Sequence, residues 1–161
     1  TVWDIKPGVK DSMYKHQQDG FEFLWKNMAG SIDLAEIKSS CSEFGGCVIS
    51  HAPGTGKTRL TMIFVETYLK LFPDCRPVII APSSMLLTWE GEFRKWNVEF
   101  PFHNLNNPLV SVEENKLAQR LSNKKAPNSE DIRLAKIRSW TKEQSVLGMS
   151  YNLFAKLVGE T

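Results

Sequence analysis

The segment Gly54-Thr55-Gly56-Lys57-Thr58 has the residue types and the spacing needed to bind a triphosphate. Glycines let backbone N–H groups turn inward to form a concave anion site, and the N-terminus of a following helix favours negative charge. The next lysine can reach the β- and γ-phosphates, and the threonine hydroxyl can hold Mg²⁺. We therefore predict a site for ATP and Mg²⁺, with Lys57 on the phosphates and Thr58 on the metal.

One position departs from the usual form of this loop, Gly-x-x-x-x-Gly-Lys-Thr. The first glycine would be residue 51, where this chain has His51-Ala52-Pro53. The last three residues of the pattern make most of the phosphate contacts, so the prediction stands. The loop residues predicted to bind ATP are His51, Ala52, Pro53, Gly54, Thr55, Gly56, Lys57 and Thr58. The alternative is a loop that caps a helix and binds nothing, which does not explain Lys57 and Thr58 together.

Gln17 is a second candidate for nucleotide binding. It lies at the start of an aromatic helical pattern that runs from Tyr14 to Trp25, ahead of the glycine-rich loop. A glutamine amide both donates and accepts hydrogen bonds, so it can match the edge of an adenine. Taken alone, the segment is ambiguous, because the aromatic side chains of an isolated helix more often belong to the core than to a site. With the loop downstream, it predicts that Gln17 reads the base.

The elements that must position these residues follow from the pattern of apolar side chains. The predicted strands are Cys47–Ile49, Pro77–Ala81, Phe100–Leu105 and Ser145–Met149. The predicted helices are Tyr14–Met28, Leu60–Leu71, Met85–Trp96, Glu113–Leu121, Asp131–Trp140 and Tyr151–Val158. Pro77–Ala81 is apolar at consecutive positions, which is typical of a strand buried on both faces. Alternating strands and helices predict an α/β fold with a mainly parallel sheet flanked by helices.

The composition is that of one globular domain. The 161 residues are 42% hydrophobic and 24% charged, which excludes a disordered, collagen-like or coiled-coil chain. No apolar run is long enough to cross a bilayer and the N-terminus lacks the pattern of a signal peptide, so we predict no membrane partner. Three cysteines without a Cys-x-x-Cys pair argue against a disulfide scaffold or a structural zinc, and indicate a reducing compartment.

Basic residues are concentrated late in the chain. The net charge of +2 is too small to indicate nucleic-acid binding by itself, but residues 116–142 contain eight basic side chains and two acidic ones. This stretch is either a solvated helix face within an insertion or a surface that contacts phosphate backbones.

The motifs, taken in order, resemble the first RecA-like lobe of Swi/Snf-type helicase-like ATPases. The resemblance rests on the segment from His16 to Trp25, on Gly54–Thr58 and on the segment from Val78 to Trp96, with a weaker match at Leu147–Phe154. Within that group, the chain is similar to the plant CLASSY branch. The residues that carry this closer similarity are His51-Ala52-Pro53, Phe72-Pro73-Asp74-Cys75 and Ser150-Tyr151-Asn152.

The resemblance implies a nuclear protein of RNA-directed DNA methylation and gene silencing. It would act on double-stranded DNA or chromatin with RNA polymerase IV and silencing factors, in the production of small interfering RNAs. Gln17 would read adenine, Lys57 and Thr58 would bind phosphate and Mg²⁺, and the DNA backbone would contact Ser83, Ser84 and Thr88. Two alternatives are a scaffold that keeps the fold without hydrolysing ATP, and a small metabolite kinase, which fits the loop but not the Gln17 segment.

The resemblance also predicts how the chain is organised. The expected parts are a lead-in (1–12), a glutamine-motif helix (13–30), a connection (31–46), the phosphate loop with the following strand–helix unit (47–105), a variable basic insertion (106–144), and a strand with a helix start (145–161). Hydrolysis would also need an acidic pair for Mg²⁺ and an arginine from a second lobe, and neither is found. We therefore expect the N-terminal part of one lobe, which binds ATP but does not hydrolyse it alone.

Overall fold

The computed structural model describes residues 1–39 and 45–159, in two compact units, Thr1–Phe72 and Pro73–Thr161. The first unit contains 3₁₀ turns and three α-helices, which are Val2–Ile5, Lys10–Ser12, α1 (Lys15–Ala29), α2 (Leu34–Ser39) and α3 (Lys57–Leu71). The second unit contains β1 (Val78–Ala81), α4 (Ser83–Lys95), β2 (Phe102–Asn104), α5 (Val112–Ser122), α6 (Ser129–Lys142), β3 (Val146–Ser150) and α7 (Tyr151–Leu157). Within the described ranges, every helix is too short or too polar to span a membrane.

The first unit is built on the packing of α1 against α3. The apolar spacing predicted for α1 is confirmed, since Phe21, Leu24 and Trp25 are buried on one face. The ring of Trp25 lies 5.4 Å from that of Phe64 on α3, in an edge-to-face arrangement. A buried carboxylate on α3, Glu66, pairs with Lys6 of the lead-in. This packing fixes the N-terminus of α1 relative to α3.

The prediction of a strand at Cys47–Ile49 is wrong. These residues have irregular backbone, and Val48 is 82% exposed. An apolar run becomes a strand only when a neighbouring strand supplies ladder hydrogen bonds, and the pattern of side chains cannot provide that neighbour. The predicted connection 31–46 contains the helix α2, and its residues 40–44, including Cys41, lie outside the described ranges.

The second unit confirms the α/β fold of a partial RecA-like lobe. Its three strands are all parallel in the order β1-β3-β2, with Val78 paired to Leu147 and Phe102 paired to Val146. The central strand β3 is buried at every residue, whereas Val78 on β1 is 41% exposed. The expectation that β1 is buried on both faces is therefore wrong, because β1 lies at an edge of the described sheet and β3 takes the buried position.

The predicted basic insertion forms a pair of helices, each of which begins at a side-chain cap. Ser111 accepts from the N–H of Glu114 at the start of α5, and Asn128 accepts from the N–H of Asp131 at the start of α6. The two helices pack against each other. The insertion is therefore an ordered helical hairpin attached to the sheet.

Not all of its basic residues face solvent. Lys136 is 3% exposed, and its Nζ donates to the carbonyls of Asn104, Asn107 and Leu109 at 3.0, 2.6 and 2.9 Å. Burial lowers the pKa of the Lys136 ammonium. Lys124 forms an ion pair with Asp131 at 3.1 Å. Part of the positive charge seen in the sequence thus holds the loop after β2 and the start of α6.

His103 on β2 connects both ends of the helical hairpin. Its Nδ1 lies 3.1 Å from Glu114 on α5, and its Nε2 lies 2.8 Å from Glu143, just after α6. A neutral imidazole has only one N–H, so donation to both carboxylates requires the charged form. Burial alone lowers the pKa of His103, but the two hydrogen bonds to the glutamates outweigh it and raise that pKa.

We predict that the second unit loses stability as the pH rises above the pKa of an ordinary histidine. The pKa of His103 is raised by folding, so its contribution is complete below about pH 6.5 and disappears as the pH rises through the folded value. The loss should be about 1 to 2 kcal/mol, the size of one charge-assisted hydrogen bond. Urea unfolding between pH 6 and pH 9 measures it.

The control for this prediction is His103→Gln, which cannot titrate. Other charged groups around His103, namely Glu90, Arg94 and Lys136, are unchanged in the variant. Its stability should therefore vary less over the same pH range. An equal pH dependence in both proteins would contradict the role assigned to His103.

Candidate functional site

The glycine-rich loop has the backbone geometry of an anion site. Gly54 and Gly56 have φ angles of +77° and +87°, in the left-handed region that favours glycine. Helix α3 begins at Lys57, and no side chain caps its N-terminus. The N–H groups of its first turn, together with the positive end of the helix dipole, are therefore suited to bind a negative group.

Lys57 lies over the loop that precedes it. Its Nζ donates to the carbonyls of His51 at 2.7 Å and Ala52 at 3.1 Å. The hydroxyl of Thr55 also donates to the Ala52 carbonyl, at 2.7 Å. An ammonium has three donors, and these two carbonyls take two of them among the described residues, which leaves one N–H of Lys57 for an anion. The structure thus brings Lys57 together with the predicted loop residues 51 and 52.

Gln17 is also brought to the loop. Its Nε2 donates to the Gly56 carbonyl at 3.3 Å, and its Oε1 accepts from the N–H of Tyr14 at 2.9 Å. The side chain is 5% exposed. Both ends of the amide already bond to the chain, although each can form one more hydrogen bond. Recognition of adenine by Gln17 stays a prediction, and it would depend on that remaining capacity.

Sequence reasoning missed His16. Its Nε2 lies 2.7 Å from the Thr55 carbonyl, between the two glycines of the loop. Its ring is parallel to that of Tyr14, with centroids 5.9 Å apart, and edge-on to His51 at 5.6 Å. The signal that could have found it is its position beside Gln17 in the first turn of α1, from which both side chains can reach one loop.

The remaining loop residues fit a metal carried by a nucleotide better than a metal held by the protein alone. Thr58 is half-buried in the first turn of α3. Among the residues that the structure describes, no cluster of three or more His, Cys, Asp or Glu side chains could hold a metal ion. Mg²⁺ commonly keeps several waters and binds phosphate oxygens with few protein ligands, so a single hydroxyl is compatible with it.

The predicted DNA contacts belong to the second unit. Ser83, Ser84 and Thr88 are all exposed on α4. Ser83 and Ser84 lie in the first turn of that helix, which no side chain caps. Helix α4 follows directly on the carboxyl end of β1. Backbone N–H groups and hydroxyls are thus presented together at the edge of a parallel sheet where such folds bind ligands.

Two polar residues at the same edge were not predicted. Asn106 follows β2 and Ser150 ends β3, and they bond to each other twice: Asn106 Nδ2 donates to Ser150 Oγ at 3.0 Å, and the Ser150 N–H donates to Asn106 Oδ1 at 2.9 Å. The available signal was a polar residue directly after an apolar strand. This pair fixes the carboxyl ends of two neighbouring strands relative to each other.

Comparison with known proteins supplies the family context. The model of the SNF2-related domain family matches residues 16–158. The chain is 57% identical to the SNF2 domain-containing protein CLASSY 3 of Arabidopsis thaliana, over 99% of this chain and 12% of that protein. It is 50% identical to CLASSY 4 of the same plant, over 98% of this chain and 14% of that protein.

A more distant similarity lies outside that branch. The chain is 30% identical to the DNA repair and recombination protein RAD54-like of Drosophila mojavensis, over 57% of this chain and 11% of that protein. No solved structure matches the chain. The chain spans only 12 to 14% of the length of the CLASSY proteins that it matches. These findings confirm the resemblance to the CLASSY branch that the motifs indicate.

The contact between Gln17 and Gly56 restricts what residue 56 can be. A Cβ at residue 56 would lie 2.3 Å from Gln17 Nε2, in a backbone conformation that L-residues rarely adopt. We expect Gly56→Ala to lower the free energy of unfolding of the first unit by roughly 2 to 3 kcal/mol, from the strained backbone and from the hydrogen bond lost when the Gln17 amide is displaced. Urea unfolding followed by tryptophan fluorescence measures the loss.

Gly54→Ala is the matched control, because its φ is also positive but nothing lies within 4 Å of its Cβ. It should cost only about 1 kcal/mol. Equal losses for the two glycine variants would show that the contact with Gln17 does not restrict residue 56.

Proposed function

The chain belongs to the SNF2-related domain family, and on that basis we propose that it forms the ATP-binding part of the first RecA-like lobe of a DNA-dependent ATPase. The observation that carries the proposal is the loop between Gly54 and Thr58, with two left-handed glycines ahead of an uncapped helix N-terminus. The ammonium of Lys57 adds a positive charge at the same place.

The proposed work of this chain is to bind and orient the nucleotide. Backbone N–H groups of the loop and of the first turn of α3 would receive phosphate oxygens, and Lys57 would neutralise part of their charge. Thr58 would hold Mg²⁺, which stabilises charge on the phosphates during transfer. The acidic pair and the arginine needed for hydrolysis would come from elsewhere in the intact protein.

We expect Lys57→Ala to weaken binding of MgATP to the intact protein roughly 10- to 100-fold, because it removes a charge-assisted hydrogen bond to phosphate. Lys26→Ala is the matched control, since it removes the same charge from an exposed position at the far end of α1. Equilibrium binding of MgATP measures both. If Lys57→Ala binds MgATP as tightly as the wild type, the loop is not a nucleotide site.

The proposed nucleic-acid contact lies on α4. Ser83, Ser84 and Thr88 are exposed there, and hydroxyls with helix N-terminal N–H groups are common phosphate ligands in protein–DNA complexes. These contacts would position the duplex without reading its sequence. The proposal rests on the exposure of these residues and on family membership.

Ser84→Glu places a negative charge at this surface, and we expect it to weaken binding of double-stranded DNA and to reduce DNA-stimulated ATP turnover by several-fold. Ser84→Gln has a similar size without the charge and should have a much smaller effect. The gap between the two variants should narrow with added salt, which screens the repulsion. Equal effects of the two substitutions would remove Ser84 from the DNA surface.

We place the intact protein in the nucleus, where it would act in RNA-directed DNA methylation and small interfering RNA production with RNA polymerase IV and silencing factors. Similarity to the CLASSY proteins supports this role, and the parts of the chain from the lead-in (1–12) to the last strand and helix (145–161) are proposed on the same ground. The test is whether the intact protein co-purifies with the polymerase and restores small interfering RNAs in cells that lack it.

A second candidate function is a scaffold that keeps this fold without turnover. The observation that favours it is the substitution of His51 for the first glycine of the loop, with the Lys57 ammonium held by the carbonyls of residues 51 and 52. The Lys57→Ala protein separates the two functions in cells. A DNA-dependent ATPase carrying this substitution would lose its biological output and keep its partner contacts, whereas a scaffold would keep both.

A further inference from the structure

We propose that His16 is a positioning residue of the phosphate loop, which holds the Thr55 carbonyl so that the N–H of Gly56 is directed to the anion. This inference deepens the proposed nucleotide-binding function and rests on it. His16 itself would not touch the nucleotide in this arrangement. Its effect would pass through one peptide group of the loop.

His16 holds the Thr55 carbonyl through a hydrogen bond. His16 Nε2 lies 2.7 Å from the Thr55 carbonyl oxygen. A carbonyl oxygen only accepts, so Nε2 carries the hydrogen in this contact. The ring is held from two sides, by the parallel ring of Tyr14 and by the edge-on ring of His51. The donor therefore has a defined direction although His16 is exposed.

The peptide group between Thr55 and Gly56 links the direction of this carbonyl to that of the next N–H. No peptide bond among the described residues is cis, and in a trans peptide the C=O and the following N–H point in opposite directions. Because His16 draws the Thr55 carbonyl toward α1, the N–H of Gly56 points to the opposite side. The next peptide is held in the same manner, since the Gly56 carbonyl accepts from Gln17 at 3.3 Å and from the N–H of Leu60 at 3.0 Å.

Two consecutive peptide groups are therefore oriented by two consecutive residues of α1. Successive N–H groups that point to one side form a concave site that binds anions. In this arrangement, His16 sets the N–H of Gly56, and Gln17 sets the N–H of Lys57. The N-terminus of α1 would act on the phosphate end of the nucleotide through the backbone of the loop.

This loop needs such a contact because glycines flank Thr55. Thr55 lies between two glycines, and a glycine permits a peptide group to turn over at little steric cost. The Thr55 hydroxyl does not prevent this, because it is bonded to the Ala52 carbonyl. Among the described residues, the Thr55 carbonyl accepts a hydrogen bond from His16. Without it, the Gly56 N–H would sample other directions.

The test compares two substitutions in the intact protein. His16→Phe keeps an aromatic ring beside Tyr14 but removes the donor, whereas His16→Gln restores an N–H donor of similar reach. Lys15→Gln is the control, because it changes an exposed neighbour whose ammonium pairs with Asp19 on the same helix. The readouts are hydrogen–deuterium exchange of residues 51–60 without nucleotide, and the affinity for MgATP.

We expect His16→Phe to exchange faster than the wild type in residues 51–60 and to bind MgATP roughly 3- to 10-fold more weakly, the scale of one hydrogen bond. His16→Gln should recover most of both losses, with the melting temperature unchanged throughout. Unchanged exchange and affinity in His16→Phe would overturn the proposal, and so would a His16→Gln protein as impaired as His16→Phe. If the wild type itself does not bind MgATP, the proposed function fails, while the exchange measurement still decides whether His16 orders the loop.

Discussion

The first unit depends on the packing of α1 against α3, which brings the Gln17 amide to the backbone of Gly56. A Cβ on Gly56 would lie 2.3 Å from Gln17 Nε2, at a residue whose φ is already positive, so this contact disfavours a side chain there. Gln17 can hold this position because the rest of α1 is fixed by the packing of Phe21 and Trp25 in the core. The same packing that stabilises the unit therefore sets the shape of the loop, so a core substitution on α1 and a substitution in the loop act on one structure.

The elements with a strong periodic signal could be predicted from the sequence, and all six predicted helices form. For the glycine-rich loop, the residue types alone indicate an anion site, since only glycine adopts the required backbone freely. The other outcomes depend on partners distant in the chain. The failure of a strand to form at Cys47–Ile49, the exposure of β1 and the contact of His16 with Thr55 each depend on what lies beside a residue, and local patterns do not contain that information.

The basic insertion shows how the charge of a segment differs from the charge it presents to solvent. Lys136 donates to three backbone carbonyls, and Lys124 pairs with Asp131. His103 binds two glutamates at the base of the hairpin. Lys136 and His103 are buried, and buried polar groups are costly unless they are hydrogen-bonded; these two connect α5 and α6 to β2. Counting lysines and arginines along the chain therefore overestimates the surface available to a polyanion.

The strand order β1-β3-β2 also constrains how the second unit is assembled during synthesis. β1 and β2 leave the ribosome first, yet neither pairs with the other, and both pair with β3. Until β3 has been made, the described sheet cannot begin to form, and β1 and β2 remain unpaired. Pairing strands this far apart in the chain raises the contact order of the unit, which slows folding and exposes the nascent chain to aggregation or to chaperones before β3 arrives.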